Sequence, residues 1–204
     1  METCLINPQA LGEERSFCMF YGGTEVFSDK ELEKIKKTGD GLSTEVAKTF
    51  GNGEDDVSRR GVVGWLPRYE EENKWIYSAL LDLVEQANKE LWKFDLIGFW
   101  EDCQYATYTS SPESEDEGDF YDWHLDLDGS YGVQRKITIV IQLSDPEDYE
   151  GGELELKTSC NSFFADKKKG TVLLFPSFCL HKVHPVTKGK RNSLVLWVSG
   201  MPFK

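Results

Sequence analysis

Residues 119–126 read Asp119-Phe120-Tyr121-Asp122-Trp123-His124-Leu125-Asp126. Aromatic and polar residues alternate here, the pattern of a strand with one face turned inward. On a regular strand Phe120, Asp122, His124 and Asp126 share a face, because successive side chains point to opposite sides. His124 and Asp126 then address one point in space. An imidazole and a carboxylate facing inward need hydrogen-bond partners or a metal, since an unpaired buried charge is costly. A second histidine from elsewhere would complete two nitrogens and one carboxylate on one side of an ion, leaving the other side open, as in non-haem iron sites. A plainer reading also stands. Asp126 is then a turn residue ahead of Asp128-Gly129, and His124 is a satisfied core or surface histidine. An isolated H-x-D triplet does not choose between the two.

The stretch sits in a β-rich half. From Phe94 onward short runs at strand period fall at 96–109, 119–127, 134–143, 152–157, 162–165, 171–175, 180–186 and 191–199. Eight short strands separated by turn residues predict a sandwich or barrel of the jelly-roll kind. Upstream, Ser28-Asp29-Lys30-Glu31 is a capping box, with Phe27 placed to staple onto Leu32. A short helix to about Thr38 follows, stopped by Gly39 and Gly41. The strongest helical pattern spans Glu71 to Trp92, where Trp75, Ile76, Ala79, Leu80, Leu83, Val84, Ala87 and Leu91 recur at three- and four-residue steps. Residues 1–16 read as an arm or edge strand, Ser16–Tyr21 as a strand, 42–60 as a loop and Gly61–Leu66 as a short strand. The expected fold is mainly β with supporting N-terminal helices (α+β), on a double-stranded β-helix core of the jelly-roll or cupin-like kind. It is expected as one domain over 1–204, with 1–93 the helical support and 94–204 the core.

Composition narrows the partners. Lys and Arg number 23 against 36 Asp and Glu, a formal net charge of -13. So acidic a chain is repelled by nucleic acid phosphates and anionic membranes, and neither is expected as a partner. The five cysteines are odd in number and form no CxxC pair, which argues against a disulfide framework or zinc ribbon and for a reducing compartment. The N-terminus lacks the basic-then-apolar pattern of a signal peptide, and no apolar run nears the roughly 20 residues of a membrane helix. A cytoplasmic setting is expected. The oligomeric state is not legible.

Only two other histidines exist, His181 and His184, in Leu180-His181-Lys182-Val183-His184-Pro185-Val186. Thr187-Lys188-Gly189-Lys190 reads as a tight turn. Arg191-Asn192-Ser193 then opens the last strong strand, with Arg191 and Ser193 on one face. A hairpin is expected to return the Arg191 strand beside the His181 strand. An arginine there suits a two-pronged grip on a carboxylate. Its plainer reading is a surface cation beside Lys188 and Lys190.

Taken together, the phrases Gly118–Asp126, Leu143-Ser144-Asp145-Pro146-Glu147-Asp148-Tyr149-Glu150-Gly151-Gly152-Glu153-Leu154, Phe175-Pro176-Ser177 and Leu180–Val183, with Arg191 ten residues beyond His181, resemble the Fe(II)- and 2-oxoglutarate-dependent dioxygenases. More narrowly they resemble the prolyl 4-hydroxylase-like branch. The likeness covers about 94–204 well and is weaker before that.

The resemblance implies that His124, Asp126 and His181 bind Fe(II). It implies that Arg191 holds the far carboxylate of 2-oxoglutarate with Ser193 assisting, and that Tyr108, rather than its rival Tyr105, hydrogen-bonds that carboxylate. The spacing to Arg191 and the following Lys182-Val183 match His181 and not His184. O2 is the oxidant, with ascorbate as a reductant, and no catalytic side chain beyond the ligands is implied. Gln142 stands where some prolyl hydroxylases carry a cosubstrate-contacting tyrosine. Arg59, Arg60 and Trp65 are placed to line a substrate entrance, against a structural role for Trp65 and solvated arginines. The acidic loop 110–118 is a lid or a plain insertion. The implied function is hydroxylation of an unactivated C–H bond, foremost of a peptidyl proline, with release of succinate and CO2. The alternatives are the same chemistry on a free amino acid or other small molecule, and a non-catalytic cupin-like metal-binding module. Flanking loops at 42–60 and 110–118 lean toward the peptide, although fold does not settle substrate.

Overall fold

The computed structural model describes residues 21–23, 25–47, 58–111, 118–127, 132–158 and 161–203. The expected arm 1–16, most of the 16–21 strand, the centre of the 42–60 loop and the centre of the 110–118 insertion lie outside these residues.

Helix α1 (Asp29–Asp40) starts where the capping box places it. The Glu31 amide donates to Ser28 Oγ at 3.4 Å, and the Ser28 amide donates to Glu31 Oε2 at 2.7 Å. Phe27 and Leu32 are both buried. Gly39 does not stop the helix; it lies inside the last turn, and Gly41 caps it. A Cβ on Gly39 would stand 2.3 Å from the Tyr105 ring, so the glycine permits a close approach to the sheet beneath. Helix α2 (Lys74–Ala87) begins three residues later than the pattern predicts. The segment after Pro67 is taken up by turns, with the Asn73 side chain donating to the Pro67 carbonyl at 3.0 Å. Asn88–Trp92 widens into a π-helical turn that ends at Lys93, whose φ is 55°. There the Asn88 side chain bonds both the amide and the carbonyl of Phe94, and this ties off the helix.

Thirteen strands follow the chain among the described residues: β1 (Tyr21–Gly23), β2 (Glu45–Val46), β3 (Val62–Leu66), β4 (Leu96–Phe99), β5 (Cys103–Thr109), β6 (Tyr121–His124), β7 (Gln134–Gln142), β8 (Tyr149–Gly151), β9 (Leu154–Thr158), β10 (Asn161–Phe164), β11 (Val172–Pro176), β12 (His181–Val183) and β13 (Val186–Gly200). They form a large sheet in the order β1-β11-β7-β13-β5-β3-β2, with β4 and β8 also paired to β13, and a four-stranded sheet in the order β10-β9-β12-β6. The expected jelly-roll core is present. The N-terminal half gives it more than helices, because β1, β2 and β3 extend the large sheet.

Period-2 alternation assigns the two faces. Ile137, Ile139 and Ile141 of β7, with Leu194, Leu196 and Val198 of β13, pack against Leu80 and Val84 of α2. Val140 and Phe175 of the opposite face pack with Leu154, Leu156 and Val183 of the small sheet. The molecule is thus layered as helices, large sheet, small sheet.

Three strand expectations are corrected. Residues 96–109 form two strands, broken where the Arg68 amide donates to Asp102 Oδ1 at 2.9 Å. Residues 187–190 are not a tight turn but part of β13, which runs through to Gly200. Gly189 has φ +74°, and a Cβ there would meet the Asp148 carbonyl at 2.0 Å; its absence lets β8 pair closely. Consequently no hairpin joins His181 to Arg191. Strand β12 pairs β9 and β6 in the small sheet, while β13 lies in the large one. The chain changes sheets at His184-Pro185. Among the described residues no helix is long and apolar enough to cross a membrane.

Candidate metal centre and its cavity

Strand β6 brings His124 opposite His181 of β12. The next pair is Val183 with Tyr121, so between the pairs one residue of β12, Lys182, faces two of β6, Asp122 and Trp123. This is a β-bulge, and it overrides strict alternation. Tyr121, not Asp122, shares the inward face with His124, and the two rings stack 3.4 Å apart. Asp122 is exposed. Asp126 lies beyond the strand, tied down by its amide donating to the Ser177 carbonyl at 2.9 Å.

His124, Asp126 and His181 form a cluster whose ligand atoms all lie within 4.8 Å of one another. His124 Nε2 is 3.7 Å from Asp126 Oδ1, and His181 Nε2 is 3.5 Å from Asp126 Oδ2. Each ring's other nitrogen is committed. His124 Nδ1 meets the Asp122 carbonyl at 2.7 Å, and His181 Nδ1 meets the Cys179 carbonyl at 2.9 Å. A carbonyl can only accept, so Nδ1 carries the proton and Nε2 offers its lone pair to the cluster. Burial, then the nearby His181, pushes His124 down to about 3, which favours the neutral imidazole. Burial pushes the Asp126 carboxyl up, but His181, His124, the Trp197 N–H and Arg135 together outweigh it and hold the group below its ordinary value. Asp126 Oδ2 also accepts from Thr138 Oγ1 at 2.9 Å and from Trp197 Nε1 at 3.1 Å. Two nitrogen donors and one carboxylate oxygen therefore converge from one side, and this set fits a divalent iron-type ion.

The cluster opens into a cavity of about 390 Å³ between the sheets. Arg191 lines it and is 1% exposed. Its Nη2 donates to Gln142 Oε1 at 3.0 Å and its Nη1 to Ser193 Oγ at 3.4 Å, while Nε is buried without an acceptor. It pairs with no carboxylate among the described residues. A buried cation without a counter-charge is costly, and a carboxylate guest would remove that cost. The guanidinium lies 5.6 Å from the Tyr108 ring centroid. Tyr108 faces the cavity; Tyr105, an odd number of residues away on β5, faces α1 and donates to Asp40 at 2.8 Å. His184 is outside the cavity and pairs with Glu155 at 2.7 Å.

The three expected entrance residues separate. Arg59 and Trp65 line the cavity and Arg60 does not. Arg59 bridges to Tyr121, so its neighbour Arg60 turns outward, toward the Phe120 ring. Trp65 Nε1 donates to Glu45 Oε1 at 3.0 Å. Sequence reasoning missed Thr138, Trp197, Arg135 and Gln104. Counting in twos from Gln142 and Arg191 finds the first two, because they share those residues' face. Arg135 forks onto Glu101 and stacks 3.8 Å over Trp197, a pairing with no local signal.

Residues 103–199 match the 2OG-Fe(II) oxygenase superfamily. A PKHD-type hydroxylase from Idiomarina loihiensis is 35% identical over 85 residues, which are 42% of this chain and 39% of that protein. One from Teredinibacter turnerae is 34% identical over 89 residues, 41% of this chain and 39% of that protein. The match thus spans about two fifths of the length of these curated relatives. Among solved structures, a prolyl-4-hydroxylase from Pseudomonas putida superposes with a TM-score of 0.65 at 18% identity, over 90% of this chain and 94% of that one. A prolyl hydroxylase from Trichoplax adhaerens, solved with a hypoxia-inducible-factor peptide, gives 0.68 at 20% identity, over 88% and 83%. At these identities the likeness bears on fold.

Proposed function

Given that the chain belongs, through residues 103–199, to the 2OG-Fe(II) oxygenase superfamily, we propose that it is an Fe(II)- and 2-oxoglutarate-dependent hydroxylase acting on a peptidyl residue, foremost proline. The observation that carries this is the pairing, on one cavity, of the His124–Asp126–His181 cluster with the unpaired, buried Arg191. The first suits a metal and the second a dicarboxylate. A protein using only one of them has no reason to bury the other.

In this reading His124, Asp126 and His181 hold the ion, with Thr138 and Trp197 fixing the carboxylate. Arg191 takes the far carboxylate of 2-oxoglutarate through a charged fork. Gln142 keeps the guanidinium oriented, and Ser193 and Tyr108 stand beside it. The loaded centre supplies the redox chemistry, in which 2-oxoglutarate and O2 give succinate and CO2 while a substrate C–H becomes C–OH. The chain's own work is to orient and to shield. The apolar walls, Val140, Leu154, Val183 and Val195, exclude water from around the cluster. Arg59 and Trp65 flank the substrate. Ascorbate serves to keep the metal reduced. The chain acts as one domain, in a reducing, cytoplasmic setting; the described cysteines Cys103 and Cys179 are free and buried.

The test supplies purified protein with Fe(II), ascorbate and 2-oxoglutarate, then proline-containing peptides and free amino acids. Succinate release together with a +O mass shift on a peptide is expected. Succinate no higher than in a metal-free control would overturn the proposal, and a shift confined to free amino acids would move it to the small-molecule alternative.

A further inference from the structure

Among the described residues three guanidinium groups reach the cavity wall, and two have partners or a role. Arg191 is taken by the cosubstrate in the reading above. Arg135 is matched by Glu101. Arg59 is left over. Its Nη2 donates to Gln104 Oε1 at 2.9 Å, its plane sits 4.3 Å from the centroid of Tyr121, and its Nε is buried with no acceptor. No carboxylate lies within ion-pair reach of it among the described residues. Tyr121 stacks in turn on His124, so Arg59 stands one ring away from the metal cluster.

We propose that the substrate carries a carboxylate, close to the carbon that is hydroxylated, and that Arg59 grips it. This rests on the oxygenase reading and names its substrate class. An arginine cannot shed its proton at any accessible pH, so its charge must be met rather than titrated away. Gln104 and the Tyr121 ring offer only a dipole and a quadrupole. A peptide carbonyl would leave the charge unbalanced. A carboxylate balances it, in a charge-assisted contact with the part of the guanidinium that faces the cavity. The chain's net charge of -13 makes its general surface repel acids. Selection for a carboxylate is therefore local to this cation and not a property of the whole field.

The carboxylate has two sources, a free amino acid or an acidic side chain beside the modified residue. The experiment uses both as matched pairs: L-proline against L-prolinamide, and the capped peptide Ala-Pro-Glu-Ala against Ala-Pro-Gln-Ala. Each is assayed for +O product with Fe(II), ascorbate and 2-oxoglutarate. Each is also titrated into protein loaded with Mn(II) and 2-oxoglutarate while tryptophan fluorescence is followed. In at least one pair the carboxylate member is expected to bind and react about tenfold better, through KM. The pair that discriminates identifies the source. Arg59→Gln should shrink that preference to about twofold or less, and Arg59→Lys should keep part of it. Equal behaviour of both members of both pairs, in binding and in product, overturns the proposal, as does a preference that survives Arg59→Gln. If neutral and acidic probes are hydroxylated alike, the oxygenase reading stands and only this inference falls. If no condition yields succinate, the oxygenase reading itself fails, and the binding titration still decides Arg59.

Discussion

The large sheet has two faces made by the same strands, and they differ in kind. Toward the helices, β7 and β13 present Ile137, Ile139, Ile141, Leu194, Leu196 and Val198, all buried and apolar. Toward the small sheet the intervening positions include Thr138, Gln142, Arg191, Ser193 and Trp197, equally buried but polar or bearing a polar handle. One face stabilises through burial and close packing. The other leaves the Arg191 Nε without an acceptor and holds three metal-type donors close together. Strand alternation allows this division, because adjacent residues serve separate ends. Substitutions one residue apart should therefore have effects of different kinds.

The largest effect is expected at the cluster. Asp126→Ala or His181→Ala should abolish tight metal binding, measured by calorimetric titration, while His184→Ala keeps it. Loss in His184→Ala with retention in His181→Ala would invert the ligand assignment. Next comes Arg191→Met. It should lower 2-oxoglutarate affinity by about a hundredfold or more, with metal binding retained, because a buried charged contact is lost. It should also raise the stability of the ligand-free protein, since an uncompensated buried charge is replaced by an apolar side chain of similar length. A lower melting temperature would show that Arg191 is structural and blur the contrast of the faces. On the other face, Ile139→Ala should cost about 2–5 kcal/mol in denaturant unfolding and leave metal affinity per folded molecule unchanged.

Smaller effects sharpen the picture. Trp197→Phe removes the indole donor to Asp126 Oδ2 but keeps the ring under Arg135. A loss of about tenfold in metal affinity is expected, as for other groups that orient a ligand. The smallest lies outside both faces, at Glu155. Burial pushes its carboxyl up, but hydrogen bonds from Ser162, His184 and Lys157 outweigh this and bring it down to about 2. A carboxyl lowered on folding adds stability above its ordinary value of 4.5, and that stability is lost as pH falls toward about 2. Glu155→Gln should flatten the stability profile between those two pH values without altering metal affinity. An unchanged slope would remove Glu155 from the acid response.

Much of this was legible in the residues. The capping box located α1 because its two hydrogen bonds involve residues three apart. The β period located β7 and β11, and the separation of three put His184 on the other side from His181. The misses share a cause. The Tyr121–His124 stack depends on a bulge that β6 adopts only against β12. The 187–190 segment looks like a turn by composition but becomes strand because β8 pairs with it. Arg135 is drawn to the cluster's edge by Glu101, which lies 34 residues before it. Local propensity carries no information about such partners.

What the chain alone determined is the chemistry: two histidines, an aspartate and an arginine at spacings that resemble one family. Those features are covalent or nearest-neighbour, so they survive without a fold. What only the tertiary structure decided is which charges are met. His181 and Arg191 face one cavity because two sheets stack, not because a hairpin joins them. Arg59 is an entrance residue or a solvated cation in the sequence; in the structure it lines the wall with no carboxylate partner among the described residues. Burial is a property of everything packed around a group, and that is settled by pairings far apart in the chain.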